Sequence, residues 1–315
     1  ERPGVVAQVR CSLRFPPYLS YLLTGIPVSE FTSIGCHTAL CDYEQKDYHD
    51  WVYAEGIDRV LPPIVATTTS INTLINGQYI KVGVGVHDSS SALLPYLKAS
   101  RKPFVLLSTG TWSIALNPFS TARLTDEELQ WDCLNFLRID GDTTRAARLF
   151  LGKELSTQVA QLEAYFGEPA GAYKKVRFDA ALYQRLQDNF SARFHFRYIN
   201  QERAAPEATN LDGVSTFVEA YHQLMLELAV LQITAVERAM CATPVRTLYI
   251  DGGFANNELF VRPLAQHFAG IKVRTTQSPL GSALGAAMLL ANRKNSKKWL
   301  KHHYSMQKIK GMRPN

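Results

Sequence analysis

The chain has 315 residues, 46% of them hydrophobic and 20% charged, a balance that suits a globular protein of one large or two ordinary domains, with two the better fit to the length. Its net charge of +6 is concentrated at one end: residues 292–315 hold eight Lys or Arg and no acid, which leaves the rest of the chain at −2, so a nucleic-acid partner is not expected. No run approaches the roughly 18 apolar residues of a membrane span, and Glu1-Arg2-Pro3-Gly4 has neither the basic nor the apolar part of an export signal, so a cytoplasmic protein without a membrane partner is expected.

In chain order, Phe15-Pro16-Pro17 opens an apolar, aromatic-rich helix over 18–23 that stops at Thr24-Gly25. Residues 34–43 are mixed, 49–55 read as a helix ending at Gly56, and Leu61-Pro62-Pro63-Ile64 interrupts regular structure. Asn76-Gly77 is a turn dipeptide, followed by a strand over 80–86 in which β-branched and small residues alternate. Strands at 104–107 and 112–116 flank Ser108-Thr109-Gly110-Thr111 as a hairpin. Thr125 and Glu128 form a capping box, and 143–151 read as a short helix after Asp142, stopped by Gly152. Within 214–240, Phe217, Tyr221, Leu224, Leu228, Leu231 and Ala235 recur at three- or four-residue spacing, which predicts a long core helix. A strand at 247–250, the turn Asp251-Gly252-Gly253, a helix over about 257–268, a strand at 272–275 and a helix from Ser282 into the basic tail complete the chain. The five cysteines are odd in number and form no Cys-x-x-Cys pair, so scattered thiols are expected rather than a disulfide framework or a zinc site.

Four segments carry chemistry. Ser108, Thr109, Gly110 and Thr111 make a small, hydroxyl-rich turn whose backbone N–H groups could cradle phosphates, although such turns are commonly only turns. About twenty residues earlier, His87-Asp88 places a carboxylate where it could accept a hydroxyl proton, or simply cap the helix that begins at Ser89-Ser90-Ser91. Asp251-Gly252-Gly253-Phe254-Ala255-Asn256 is a strand-to-helix turn with room for a base or ribose against the main chain. Gly281-Ser282-Ala283-Leu284-Gly285-Ala286-Ala287 starts a helix with a face of small residues suited to tight packing.

In order and spacing these segments resemble the second domain of FGGY-family carbohydrate kinases. The likeness rests on Gly85-Val86-His87-Asp88, on Leu107 to Ser113, and on Asp251-Gly252-Gly253 with Asn256 and Leu284 to Ala287. It covers about residues 10–290, since Phe15 to Leu19 with Leu23-Thr24-Gly25 is similar to a segment late in the family's first domain. The resemblance implies an α/β, actin-like ATPase (ribonuclease-H-like) fold: the end of a first, sugar-binding domain at 1–76, a nucleotide-binding domain at 77–291 and a basic tail at 292–315. It also implies ATP- and Mg²⁺-dependent phosphorylation of a sugar. Asp88 would be the catalytic base. Ser108, Thr109, Gly110 and Thr111 would meet the phosphates, and Gly252, Gly253 and Asn256 would line the adenosine pocket. His87, Asn135 and Arg138 would face the substrate.

Within the family the His-Asp pair and Trp112 are most similar to L-rhamnulose kinases, which favours L-rhamnulose or L-fuculose, with Arg138 standing where a second Asn is expected and Asp251 replacing a glycine. The family's opening Asp-x-Gly-Thr/Ser turn has no counterpart before residue 80, so the chain is expected to be the C-terminal part of a longer enzyme. A polyol or xylulose kinase of the same fold, or a non-catalytic nucleotide-binding protein, remains the alternative, and a homodimer is compatible with all of these readings.

Overall fold

A computed structural model describes residue 4 and residues 8–36, 38–199, 206–276, 281–291 and 307–309, and the chain forms two compact units. The first comprises Glu1–Arg101, Leu134–Arg145 and Leu280–Leu300; the second comprises Lys102–Cys133, Ala146–Pro279 and Lys301–Asn315. The sequence expectation of a single cut near residue 76 divides the chain differently. Of the expected basic tail, all but residues 307–309 lies outside the described residues.

The first unit begins with the helix Phe15–Thr24, which carries prolines in its first turn and ends at Gly25, where φ is 69° and the N–H closes on Tyr21 O. Both features follow from the sequence: Pro can open a helix but not continue it, and Gly can adopt the left-handed cap. The short strand Ser29–Glu30 pairs in parallel with Ile64–Val65, and Ile34, Leu40, Tyr48, Val52 and Leu137 close a small core around it. The expected strand at 80–86 is shorter and better paired than the alternation suggests. Gln78–Gly83 runs antiparallel to Ser70–Ile75, joined by Asn76 and Gly77, which both have positive φ, as a two-residue hairpin turn requires. Beyond Gly83 the strand ends, with Val84 N donating to Thr69 O at 3.3 Å, and Gly85 (φ +98°) passes so close to Pro16 that an added Cβ would stand 2.6 Å from its carbonyl carbon. The helix Asp88–Ala99 follows, with Ser89, Ser90, Ser91 and Ala92 all buried. Against it lies Gly281–Ala291, where a Cβ on Gly285 would fall 1.9 Å from Ser91 O. The small-residue face foreseen in the sequence is thus a helix-to-helix contact made at backbone distance.

The second unit is built on a sheet in which Gln307–Lys308, Lys272–Thr275, Thr247–Gly252, Phe104–Thr109 and Ser113–Asn117 lie side by side in that order. Thr247–Gly252 is parallel to Phe104–Thr109, in a register that sets Gly252 beside Thr109 and Asp251 beside Ser108. Phe104–Thr109 is antiparallel to Ser113–Asn117, closing the predicted hairpin. The long helix is Phe217–Met240, capped by the Thr216 side chain. Its apolar stripe, including Leu224, Leu228 and Ala235, packs in one core with Val105, Leu107, Leu248 and Ile250 of the sheet. The Thr125–Glu128 capping box forms as expected.

One expected element is corrected. Thr143–Leu149 is a strand, and a 16-residue helix starts only at Leu151 and runs to Phe166. Thr143 and Thr144 at the head of the segment favour a strand, and four consecutive buried positions, Thr144 to Ala147, fit a covered sheet. Gly152 does not stop a helix; it is the second residue of one.

None of the five cysteines is in a disulfide, and three of them are buried. Among the described residues no helix is long and apolar enough to cross a membrane.

The Gly285 contact yields a test. Replacing Gly285 with Ala is expected to destabilise the protein by about 1–3 kcal/mol through overpacking. Gly270→Ala, where an added Cβ meets nothing within 4 Å, is expected to change stability by less than about 0.5 kcal/mol in the same denaturant titration.

Candidate functional site

In the second unit, the Thr109↔Gly252 register brings two of the singled-out segments together. Thr109 is buried, and its hydroxyl donates to Asp251 O at 2.6 Å while accepting the Phe254 N–H at 3.0 Å. Its carbonyl accepts the Gly253 N–H at 2.9 Å. The side chain therefore ties the two turns to each other. Gly252 explains why no larger residue would serve there: its φ is +90°, and a Cβ would lie 1.9 Å from Thr109 O. The Asp251 carboxylate is occupied in the same way, accepting from Gly252 N at 2.8 Å and from the Thr276 hydroxyl at 2.6 Å.

The second close approach lies on the other side of the hairpin turn. Gly152 N and Lys153 N donate to Thr111 O at 3.1 and 3.3 Å, and a Cβ on Gly152 would be 2.1 Å from Gly110 O. The first turn of the Leu151–Phe166 helix is thereby pressed onto the Gly110-Thr111 turn. The Gly152 and Lys153 N–H groups of this helix end are spent on Thr111 O, so what it offers an anion is the partial positive charge of a helix N-terminus and the Lys153 side chain.

Between these contacts opens a cleft of about 440 Å³. Gly110, Thr111, Gly152 and Gly253 supply backbone to its surface, Lys153 supplies a cation, and Tyr173 and Phe254 supply aromatic faces. Asn257 also lines it; as the N-cap of Glu258–His267 it accepts the Leu259 N–H at 3.0 Å and donates to Tyr221 Oη at 3.2 Å. Burial pushes the Tyr221 phenol up to about 12, reinforced by Tyr173 and opposed by the Asn257 hydrogen bond, so it stays neutral behind the cleft.

Of the residues expected here, Gly110, Thr111 and Gly253 line the cleft, whereas Ser108, Thr109 and Gly252 form the scaffold behind it. Asn256 is exposed on the turn, and its neighbour Asn257 is the asparagine that reaches the cleft. Trp112 lies outside the lining, stacked on Phe150 at 4.4 Å with the Arg148 guanidinium 4.9 Å from its ring centroid. Gly152, Lys153 and Tyr173 were not singled out from sequence. A glycine in the first turn of a helix was the available signal for Gly152, since it costs helix stability unless a close contact needs it.

In the first unit, His87 and Asp88 stand at the start of the Asp88–Ala99 helix rather than at the end of a strand. The Asp88 side chain is 78% exposed, and its Oδ1 lies 3.3 Å from His87 Nδ1 and accepts the Ser89 N–H at 2.7 Å. Its carbonyl accepts from Ser282 Oγ at 3.1 Å, while Ser90 Oγ and Ser91 Oγ donate to Leu137 O and Ser282 O at 2.8 and 2.7 Å. The main chain is held firmly and the carboxylate is left open to solvent.

The His87 ring meets Phe136 edge-on at 5.5 Å, which puts it near the strand that carries Asn135. Asn135 is half-buried, and its carbonyl accepts the Tyr43 phenol proton at 2.8 Å. Arg138 is drawn into the hairpin turn: its Nε and Nη2 donate to the two Asp140 oxygens at 2.9 and 2.6 Å, and Nη2 also donates to Asp142 at 2.6 Å. Burial would raise the Asp140 pKa, but the Arg138 hydrogen bond and charge hold it below the usual carboxylate range. An arginine clamped by two carboxylates presents little net positive charge.

Residues 101–298, more than half of the chain, match the family described as carbohydrate kinase FGGY, C-terminal domain. The structure is similar to a carbohydrate kinase from Novosphingobium aromaticivorans, with a TM-score of 0.69 and 24% identity over 94% of this chain and 64% of that one. It is also similar to a xylulose kinase from Rhodospirillum rubrum, with a TM-score of 0.67 and 15% identity over 99% and 65%. A gluconate kinase from Lactobacillus acidophilus gives 0.66 and 12% over 95% and 62%. The chain spans less than two thirds of the length of each of these proteins. Likeness at such identities speaks for the fold, which is α/β and of the actin-like ATPase type, while the family match covers both turns, the cleft and the sheet apart from Gln307–Lys308. The chain belongs to the FGGY carbohydrate kinases and contains their C-terminal domain.

Proposed function

We propose that this chain binds ATP in the cleft of its second unit and takes part in transferring the γ-phosphoryl group to a hydroxyl of a ketose, with Asp88 as the general base. The observation that carries this reading is the cleft itself. Two glycine-containing turns and the positive end of a helix form its wall, a lysine stands among them, and aromatic faces line the same space. Phosphoryl transfer asks a protein mainly for placement and for charge stabilisation, and these are the groups that provide both.

In this reading the phosphates lie along Gly110, Thr111 and the first turn of the Leu151–Phe166 helix, with Lys153 as counter-charge. The base and ribose lie toward Gly253, Phe254 and Tyr173, where an adenine ring can stack. Asn257 is the polar side chain within reach.

Among the described residues there is no group of three or more His, Cys, Asp or Glu side chains placed to hold a metal ion. A magnesium ion carried in on the nucleotide phosphates would neutralise charge on the transferring group. Asp88 fits the base role because its carboxylate is exposed, anchored through its backbone, and next to a histidine that can share a proton with it. It takes the proton as the sugar oxygen attacks the γ-phosphorus and ADP departs, then returns the proton to solvent.

A ketose is favoured, L-rhamnulose or L-fuculose first, on the His87-Asp88 pair and Trp112. The xylulose kinases among the similar structures support D-xylulose as the next ketose to test.

Asp88→Asn is expected to lower turnover by about 10²-fold or more while leaving nucleotide affinity within about twofold, as measured by coupled ADP release and by calorimetric titration. Wild-type turnover in that variant would remove Asp88 from the base role.

At the nucleotide cleft, Gly152→Ala forces the Gly110 turn away from the helix. It is expected to weaken ATP binding by about tenfold or more, whereas Gly270→Ala, whose added Cβ meets nothing within 4 Å and lies outside the cleft lining, is expected to cost about threefold or less. Equal affinities for the two variants would argue against phosphate contact at that turn.

A further inference from the structure

Glu30 is fully buried, and its carboxylate is met by neutral donors: Thr32 N at 2.8 Å, Ser33 N at 2.6 Å, Thr32 Oγ1 at 2.8 Å and Thr67 Oγ1 at 2.7 Å. As the N-cap of Phe31–Ile34 it serves a helix of only four residues. An exposed Ser or Asp would cap such a helix, and sinking a whole carboxylate for that purpose alone is costly. The arrangement continues past the cap. With its proton committed to Glu30, Thr32 Oγ1 can act outward only as an acceptor, and it accepts the backbone N–H of His87 at 2.8 Å. His87 is the N-cap residue of the Asp88 helix, without a side-chain capping bond of its own.

We propose that Glu30 and Thr32 are positioning residues for Asp88: the buried carboxylate orients the Thr32 hydroxyl as an acceptor, the hydroxyl holds the His87 peptide, and the held peptide sets where the Asp88 carboxylate stands. The inference rests on the reading of Asp88 as the base. A hydroxyl bonded to a carboxylate is polarised and becomes a stronger acceptor than one bonded to water. The link joins parts of the chain 55 residues apart, and all of its members lie in the first unit.

Thr67 supplies the control. Its hydroxyl donates to the same Glu30 oxygen as the Thr32 backbone and has no bond to His87. In the full chain, Thr32→Val and Thr67→Val each delete one donor to Glu30, but only the first breaks the path to Asp88. Thr32→Val is expected to speed hydrogen exchange at the His87 amide and to lower kcat for the ketose by about tenfold, with nucleotide Kd and sugar KM within about twofold. Thr67→Val should leave both the exchange and kcat within about threefold of wild type, and Thr32→Ser should restore them.

Equal losses in the two valine variants, following melting temperature alone, would show a merely structural role and overturn the proposal, as would unchanged His87 exchange in Thr32→Val. Asp88→Asn keeps the two claims apart. Full turnover in that variant removes the base reading, whereas an inactive Asp88→Asn beside a fully active Thr32→Val removes only the positioning link. Should the wild-type chain show no turnover on any ketose, that counts against the kinase reading, and the exchange comparison still decides the link.

Discussion

Backbone meeting backbone is the constraint on which the second unit depends. Gly252 lies against Thr109 O, and Gly152 against Gly110 O, each closer than any Cβ would permit. The first contact locks the Asp251-Gly252-Gly253 turn to the hairpin strand, and the second locks the first turn of a helix to the hairpin turn. Between them they fix three independent pieces of main chain around one cleft. Main chain fixed in this way needs no reorganisation when a ligand arrives, which makes a rigid turn better than a flexible one for lining a cleft. The register of two parallel strands, Thr247–Gly252 and Phe104–Thr109, aligns the turns before any side chain is considered.

Much of this was legible in the sequence because it is written in residues with few alternatives. Pro16-Pro17 and Gly25 bound a helix, Asn76-Gly77 makes a hairpin, the Thr125–Glu128 box caps a helix, and a three-to-four-residue apolar period over 214–240 has one economical reading. Thr143–Leu149 was less legible: after an aspartate and before a glycine, a short segment with apolar residues at mixed spacing satisfies helix and strand templates alike. Its strand character comes from the sheet beside it, which is tertiary information. Gly152 was misread for a related reason, since helix-stop glycines and close-contact glycines are identical in sequence and differ only in what lies opposite.

The site residues divide along the same line. A turn rich in Ser, Thr and Gly advertises itself, but the sequence does not show which of its members faces outward. Thr109, the residue a motif reader would choose first for its hydroxyl, spends that hydroxyl on Asp251 O and Phe254 N. Asn256 and Asn257 are adjacent, and only the helix cap distinguishes them, by turning the second toward Tyr221 and the cleft. Arg138 reads as a substrate contact until Asp140 and Asp142 are seen to bracket it. For Thr109 and Arg138, a polar side chain already bonded within the protein is a poor first choice for ligand contact, because a ligand must displace a bond at least as good as the one it offers.

The first unit solves a different problem, that of holding an acid in place while leaving it exposed. A carboxylate can be placed through its own oxygens or through the main chain that carries it. Here much of the restraint falls on the main chain. Ser282 Oγ holds the Asp88 carbonyl, Thr32 Oγ1 holds the preceding N–H, and the Gly285–Ser91 contact holds the helix that follows. The carboxylate itself receives the Ser89 N–H and the neighbourhood of His87. Buried serines, a buried threonine and a buried glutamate, each of which would otherwise be costly to enclose, are thus accounted for together. They position a backbone, and the backbone positions an exposed carboxylate.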